Sequence, residues 1–239
     1  MANLEELEKY KKIHMIGIGG VSMSGIAEIL KHWGFSVTGS DAAQSEYTDD
    51  LISHGIPVTI GHDLENVAKS DLVVYTAAIK PDDPELVKAR ELYIPTIERG
   101  DFLGLLTKVF NDTICVSGTH GKTTTTSMIS SCFLEGKLDP TIQVGAFFKQ
   151  INANYRLGNS EYFIIEACEY VESFLKFYPK TEIILNIDND HLDYFKDMEH
   201  IVLAFKKYVK LLPANGLLVI NSDDPNCSTL SKCTEAKTI

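Results

Sequence analysis

Apolar positions along this chain follow two alternating rhythms. Short, nearly continuous apolar runs are bounded by glycine, proline or aspartate; between them lie stretches with apolar residues three or four positions apart. In the first hundred residues the runs KIHMIGIGG, FSVTGSD, IPVTIGH, DLVVYTAAI and IPTIER read as strands, the first of them buried and ending in glycines. SGIAEILKHWG, after the first run, has helical spacing and stops at Gly34. A second series starts near Asn111. There DTICVSG, TIQVG, EYFIIEA, TEIILNI and GLLVINS read as strands, GKTTTTSMISSCFLEG as a loop entering a helix, and HIVLAFKKYVKLL as an amphipathic helix before Pro213. Strands alternating with helices indicate parallel, doubly wound sheets. The pattern predicts two α/β units, residues 1–108 and 109–239, joined near Lys108–Asn111. No clear closing element follows GLLVINS; what comes after it reads either as a tail or as a chain cut inside its second domain.

Composition narrows the partners. The chain has 239 residues, 44% apolar and 23% charged, as in an ordinary globular protein. Its net charge of −11 disfavours nucleic acid or an anionic membrane, whose phosphates reward the opposite sign. No apolar run reaches the ~18–20 residues of a membrane span, and MANLEELEKYKK lacks a signal peptide's apolar stretch. Cys115, Cys132, Cys168, Cys227 and Cys233 are odd in number with no C-x-x-C spacing, which fits reduced thiols in a cytoplasm. Cys168 reads as a small buried residue.

VSGTHGKTTTT, residues 116–126, carries the sharpest chemistry. Gly121-Lys122-Thr123 match the second half of the phosphate-loop pattern G-x-x-x-x-G-K-[ST], but Val116 stands where its first glycine belongs. The segment lies between a strand and a helix, so its backbone N–H groups face outward at a positive helix end. Gly118 and Gly121 let phosphate oxygens approach the backbone. Lys122 would reach the β/γ-phosphates, and the Thr123 hydroxyl would ligate Mg²⁺. The bland reading is a helix cap rich in Thr and Gly. Against it stands the run of four threonines, poor helix formers, directly after Gly-Lys.

Two further segments hold polar groups at strand ends, where ligands bind in such sheets. EYFIIEACEY places Glu166 and Glu169 after one strand. ILNIDNDHLDYF places Asn186, Asp188, Asp190, His191 and Asp193 after another. Carboxylate and imidazole on neighbouring strand tips could share a divalent cation; an acidic loop with a helix N-cap at Asp190 or Asp193 explains the same residues. Near the N-terminus, Gly17-x-Gly19-x-x-Ser22 approximates a Rossmann dinucleotide fingerprint with Ser in place of the third glycine. Asp41, 22 residues after Gly19, lies near the place of a ribose-binding acid. NAD is therefore one ligand to consider. Thr76-Ala77 end the fourth strand, where they either flank the same crevice or simply terminate the strand, and His62 is loop-placed. His14, His32, His54 and His200 read as packing or surface residues.

The short form G-x-x-G-K-[ST]-T, here Gly118, Thr119, His120, Gly121, Lys122, Thr123 and Thr124, resembles the loop of the Mur ligase family. So do Glu166 after a strand and the N-x-x-x-D-H segment Asn186…Asp190-His191. GIGG-x-x-M-x-G-IA, matched by Gly17 to Gly20, Met23, Gly25, Ile26 and Ala27, is similar to the opening of the family's alanine-adding branch. The resemblance implies a Rossmann-like domain for UDP-N-acetylmuramic acid, with Gly17, Gly19, Gly20, Ser22, Ser40, Asp41, Thr76 and Ala77 around the UDP. It implies a P-loop ATPase-type central domain whose loop, residues 118–124, holds ATP. Thr123 would serve one Mg²⁺, and Glu166 with His191 a second. Lys122, Glu166 and His191 would be catalytic. The implied reaction is ATP-dependent joining of L-alanine to the muramic acid through an acyl phosphate, a step of peptidoglycan precursor synthesis. The family's C-terminal domain is expected to be absent and this chain alone inactive. Murein-tripeptide recycling and non-catalytic UDP-sugar or nucleotide binding are the alternatives, since EACEY occurs in the recycling branch too.

Overall fold

The computed structural model describes residues 6–239. The chain forms two compact units, one running to Leu103 and the other from Gly104 to Ile239.

In the first unit β1 (Lys12–Ile16), β2 (Ser36–Asp41), β3 (Val58–Ile60), β4 (Leu72–Tyr75) and β5 (Thr96–Glu98) alternate with α1 (Val21–His32), α2 (Glu46–Ser53), α3 (Leu64–Lys69) and α4 (Pro84–Glu91). All strand pairs are parallel, in the order β3-β2-β1-β4-β5. The core is the residues read as apolar runs: Ile13, Met15 and Ile16 of β1, with Ile26, Ile29 and Leu30 of α1, are at most 2% exposed. Helix α5 (Arg99–Val109) carries the chain from one unit into the next, and Lys108 lies in its last turn.

The second unit contains β6 (Asp112–Ser117), α6 (Lys122–Glu135), β7 (Thr141–Phe148), β8 (Ala153–Arg156), β9 (Tyr162–Glu166), β10 (Thr181–Ile184), α7 (Met198–Tyr208), β11 (Leu217–Ile220), α8 (Pro225–Ser228) and β12 (Lys237–Thr238). The strand order is β12-β11-β10-β6-β9-β7-β8, parallel except where β8 runs antiparallel to β7. The chain is thus mixed α/β with parallel sheets. Under α7, Phe174 stacks on Tyr208 at 4.3 Å and meets Phe205 edge-on at 5.2 Å. Among the described residues no helix is long and apolar enough to cross a membrane.

Two strands were not read from the sequence and one helix cap is corrected. After GLLVINS, α8 leads to the short strand β12, which pairs with β11. β8 is an edge strand whose residues, ANYR, carry too little apolar character to be read as one. The cap of α7 is Asp197, which accepts from the His200 N–H, and not Asp190 or Asp193.

Both sheets reverse their order at one strand. β1 lies between β2 and β4, and β6 between β10 and β9. Connections leave such a strand in opposite directions, so a crevice opens at its carboxyl end.

Candidate functional sites at the two switch points

Side chains cap the N-termini of α2, α3, α4, α7 and α8: Ser45, Asp63, Asp83, Asp197 and Asp224 each accept a backbone N–H. The helices that follow the two switch-point strands differ. α1 has Gly20 and α6 has Gly121 at the N-cap position, and neither has a side-chain cap. A helix N-terminus without a side-chain cap is a place where an anion is a natural acceptor.

At β6 the chain stays extended to Ser117 and turns only at Gly118 (φ 131°), then at Gly121 (φ 84°). Both angles lie where L-residues are strained. Val116 is fully buried inside the strand, so the loop is a short one that begins two residues later than the eight-residue pattern. Asn186, at the end of β10, fastens it: the His120 N–H donates to Asn186 Oδ1 (2.8 Å), Asn186 Nδ2 donates to the His120 carbonyl (3.0 Å), and the Thr119 N–H donates to the Asn186 carbonyl (3.1 Å). Lys122 Nζ folds back onto the loop, donating to the carbonyls of Gly118 (2.6 Å) and Thr119 (3.1 Å). Thr126 and Ser127 turn their hydroxyls onto carbonyls four residues earlier. That internal bonding satisfies these two hydroxyls within the helix.

The acidic residues flank this loop. Glu166 accepts from the Thr123 hydroxyl (3.1 Å) through Oε2 and from the Gly145 N–H (2.6 Å) through Oε1. Glu169, 2% exposed, accepts from Lys122 Nζ at 2.9 and 3.2 Å. His191 has left-handed backbone (φ 53°), packs its ring 4.7 Å from that of Tyr170, and sets Nε2 3.8 Å from Glu169 Oε1. The strands bearing Glu166 and His191 are not neighbours as expected: β6 separates β9 from β10. The two groups therefore approach the loop from opposite sides. Cys168 is exposed rather than buried, because it follows the end of β9 where the chain leaves the sheet.

In the first unit a cleft of about 720 Å³ opens at the end of β1. Of the residues expected around UDP, Gly17, Gly19, Gly20, Ser40, Asp41 and Thr76 line it; Ser22 in α1 and the exposed Ala77 do not. Gly17 has φ 77°, and a Cβ there would come within 2.6 Å of Thr76 Cγ2. Asp41 accepts the Gly19 N–H through Oδ2 (2.8 Å), which ties the glycine turn to β2. Beneath the cleft lies Glu85, 1% exposed, which accepts from His14 Nε2 (3.0 Å), Ser40 Oγ (2.8 Å) and the Asp63 N–H (3.0 Å). Burial alone would raise this carboxyl; the hydrogen bonds from His14, Asp63 and Ser40 outweigh it and hold Glu85 below the usual glutamate range. His62 lines the cleft, its Nδ1 3.4 Å from Glu85 Oε2.

A family model described as the Mur ligase middle domain matches residues 116–239, and one described as the Mur ligase family catalytic domain matches residues 12–111. The chain belongs to the Mur ligase family. The UDP-N-acetylmuramate–L-alanine ligase of Acetivibrio thermocellus is 54% identical over 224 residues, which are 94% of this chain and 48% of that protein. Its counterpart in Clostridium novyi is 53% identical over 229 residues, 96% and 50% respectively. The chain thus spans about half the length of these curated relatives. Among solved structures, the UDP-N-acetylmuramate–alanine ligase of Thermotoga maritima is similar at a TM-score of 0.81 and 33% identity, covering 92% of this chain and 51% of that one. A UDP-N-acetylmuramate:L-alanyl-γ-D-glutamyl-meso-diaminopimelate ligase from Neisseria meningitides is similar at 0.85 and 30%, covering 95% and 76%.

Within this Mur ligase chain, three polar anchors were not assigned from the sequence. His14 looked like ordinary packing, yet it holds Glu85 across 71 residues. Glu169 stood three residues from Glu166 with nothing in its spacing to link it to Lys122. Asn186 belonged to a motif, but its reciprocal bonds to a loop 66 residues earlier are a matter of strand order.

Proposed function

We propose that this chain serves the ATP-dependent joining of L-alanine to UDP-N-acetylmuramic acid in peptidoglycan precursor synthesis. The first unit would bind the UDP-sugar and the second the ATP phosphates. The observation that carries the reading is the pairing of adjacent loop residues Lys122 and Thr123 with Glu169 and Glu166 at an uncapped helix end. That is a phosphate cradle with hard-oxygen donors beside it. Relatives at 53–54% identity, named as alanine ligases, favour alanine over a peptide as the added group.

The muramic acid carboxylate would attack the γ-phosphorus of ATP, forming an acyl phosphate and releasing ADP. The amine of alanine would then attack the acyl carbon, expel phosphate and lose a proton to leave the amide. Lys122 would hold the transferring phosphoryl group, and the loop N–H groups the neighbouring phosphates, so that developing charge meets donors already in place. Thr123 Oγ1 and Glu166 Oε2, 3.1 Å apart, are oxygen donors of the kind Mg²⁺ selects. Thr123 would hold one ion, and Glu166 with His191 a second. Bound there, Mg²⁺ would neutralise phosphate charge. In the first unit the α1 N-terminus would take the diphosphate and the Ser40–Asp41 edge the nucleoside. The complete reaction is assigned to the full length of the relatives, and to residues 1–239 its two binding sites.

Lys122→Ala tests the reading. ATP affinity by calorimetry is expected to fall roughly tenfold or more, the loss of a charge-assisted contact. Unchanged affinity would remove the loop from the site.

A further inference from the structure

Lys122 Nζ has three protons to donate, and its contacts use them all: two loop carbonyls and the carboxylate of Glu169. The ammonium is therefore parked on its own loop with its charge neutralised. Phosphate oxygens would compete for the same protons. Resting on the reading of this loop as a nucleotide site, we propose that Glu169 is a positioning residue, a latch that holds Lys122 folded back until a nucleotide's phosphates take the ammonium from it.

The surroundings of Glu169 decide which partner moves. It is 2% exposed and leads into the 3₁₀ segment Tyr170–Lys176. In that segment Val171 and Glu172 have left-handed backbone, φ 48° and 54°. A β-branched residue there is strained and persists only where packing over-determines it. Phe174, fully buried and stacked on Tyr208, supplies that packing. Glu169 is thus anchored, while Lys122, at the first position of α6, carries its ammonium on a four-carbon stem with several rotamers. Once the lysine leaves, a buried carboxylate has lost its cation, a costly state. His191 Nε2, 3.8 Å from Oε1, lies beyond hydrogen-bond reach and does not replace the lost ammonium. The cost of the exchange opposes nucleotide binding, so weakening the latch strengthens binding. An ordinary structural ion pair would instead stabilise the fold and leave nucleotide affinity unchanged or lower once broken.

The test is titration calorimetry of ADP into residues 1–239 as wild type, Glu169→Gln, Lys122→Met and the double variant. Glu169→Gln is expected to bind ADP about tenfold more tightly, the scale of one charge-assisted hydrogen bond. In the Lys122→Met background the same change is expected to alter affinity by less than about twofold, since the latch has nothing left to hold. Unchanged or weaker binding by Glu169→Gln overturns the proposal. So does tightening that persists without the lysine, which would mark simple charge repulsion. If Lys122→Met itself leaves ADP affinity unchanged, the nucleotide-site reading fails, an outcome separate from either of these. Glu169→Asp keeps the charge and shortens the reach, and serves should the glutamine variant not fold. It is expected to tighten ADP binding about threefold, a weaker form of the same effect, and no tightening overturns the latch.

Discussion

Two buried glutamates illustrate how a single residue's surroundings decide its chemistry. Glu85 has four donors around it and stays below the ordinary glutamate range. Its folded value is depressed, so it contributes stability above the unfolded value, and that contribution is lost as the pH falls through the folded one. Glu182 on β10 is the reverse. It is fully buried, neither oxygen has a hydrogen-bond partner, and burial pushes its carboxyl well above the usual range. Cys115 and Tyr208 beside it are buried too, and each is likewise raised, chiefly by burial. Between the unfolded and the raised folded value, the folded state binds the extra proton, so this residue's effect on stability worsens as the pH rises. Glu182→Met removes the group and fills the space. It is expected to stabilise the protein by about 1–3 kcal/mol near pH 8 and by less near pH 5, where protonating the carboxyl on folding costs less because the pH is closer to its unfolded value. Urea unfolding at the two pH values measures both numbers; a variant less stable than wild type at pH 8 would contradict the account.

At the scale of elements, the join between β6 and α6 explains why the loop departs from the eight-residue pattern. The strand holds its extended course through Val116 and Ser117, and Val116 faces the core, so a glycine there would serve no turn. The turn needs its glycines only where φ becomes positive, at Gly118 and Gly121. Restoring the longer pattern with Val116→Gly is therefore expected to harm the protein. Losing a buried valine and adding strand flexibility costs about 2–4 kcal/mol, with no gain in ATP affinity. Thermal denaturation and calorimetry on the same sample test the two halves of that statement. Tighter ATP binding by the glycine variant would show the first glycine to be missing rather than unnecessary.

For the whole molecule, two sheets repeat one arrangement: a central strand, a glycine turn and an uncapped helix. The ligands proposed for them differ, and so do the tests. The first unit is expected to prefer UDP-N-acetylmuramic acid over NAD when equal concentrations compete in ligand-observed NMR. Its cleft offers the α1 N-terminus for a diphosphate and the Ser40–Asp41 edge for the nucleoside. At a UDP-sugar concentration about a hundred times its Kd, binding should stabilise that unit by about 2.7 kcal/mol. Preferential NAD binding would point to a dehydrogenase-like use of the fold.

The glycine pattern, the apolar runs and the Gly-Lys-Thr triplet are local features. Local features determined that the chain is α/β, where its main strands lie, and that a glycine loop carrying Lys122 and Thr123 follows β6. The residues that resemble the Mur ligases were legible for the same reason, since each motif is a short contiguous string. β8 and β12 were not legible, because edge strands with little apolar surface gain their stability from a neighbour rather than from their own sequence. Nor was the order of strands. Only the tertiary structure decided that β6 lies between β9 and β10, and therefore that Glu166 and Asn186 meet the loop from opposite sides. The same holds for Lys122 on Glu169 and for His14 on Glu85. These are contacts between groups 47 and 71 residues apart, set by which strands pair and which faces close, and no local spacing encodes them.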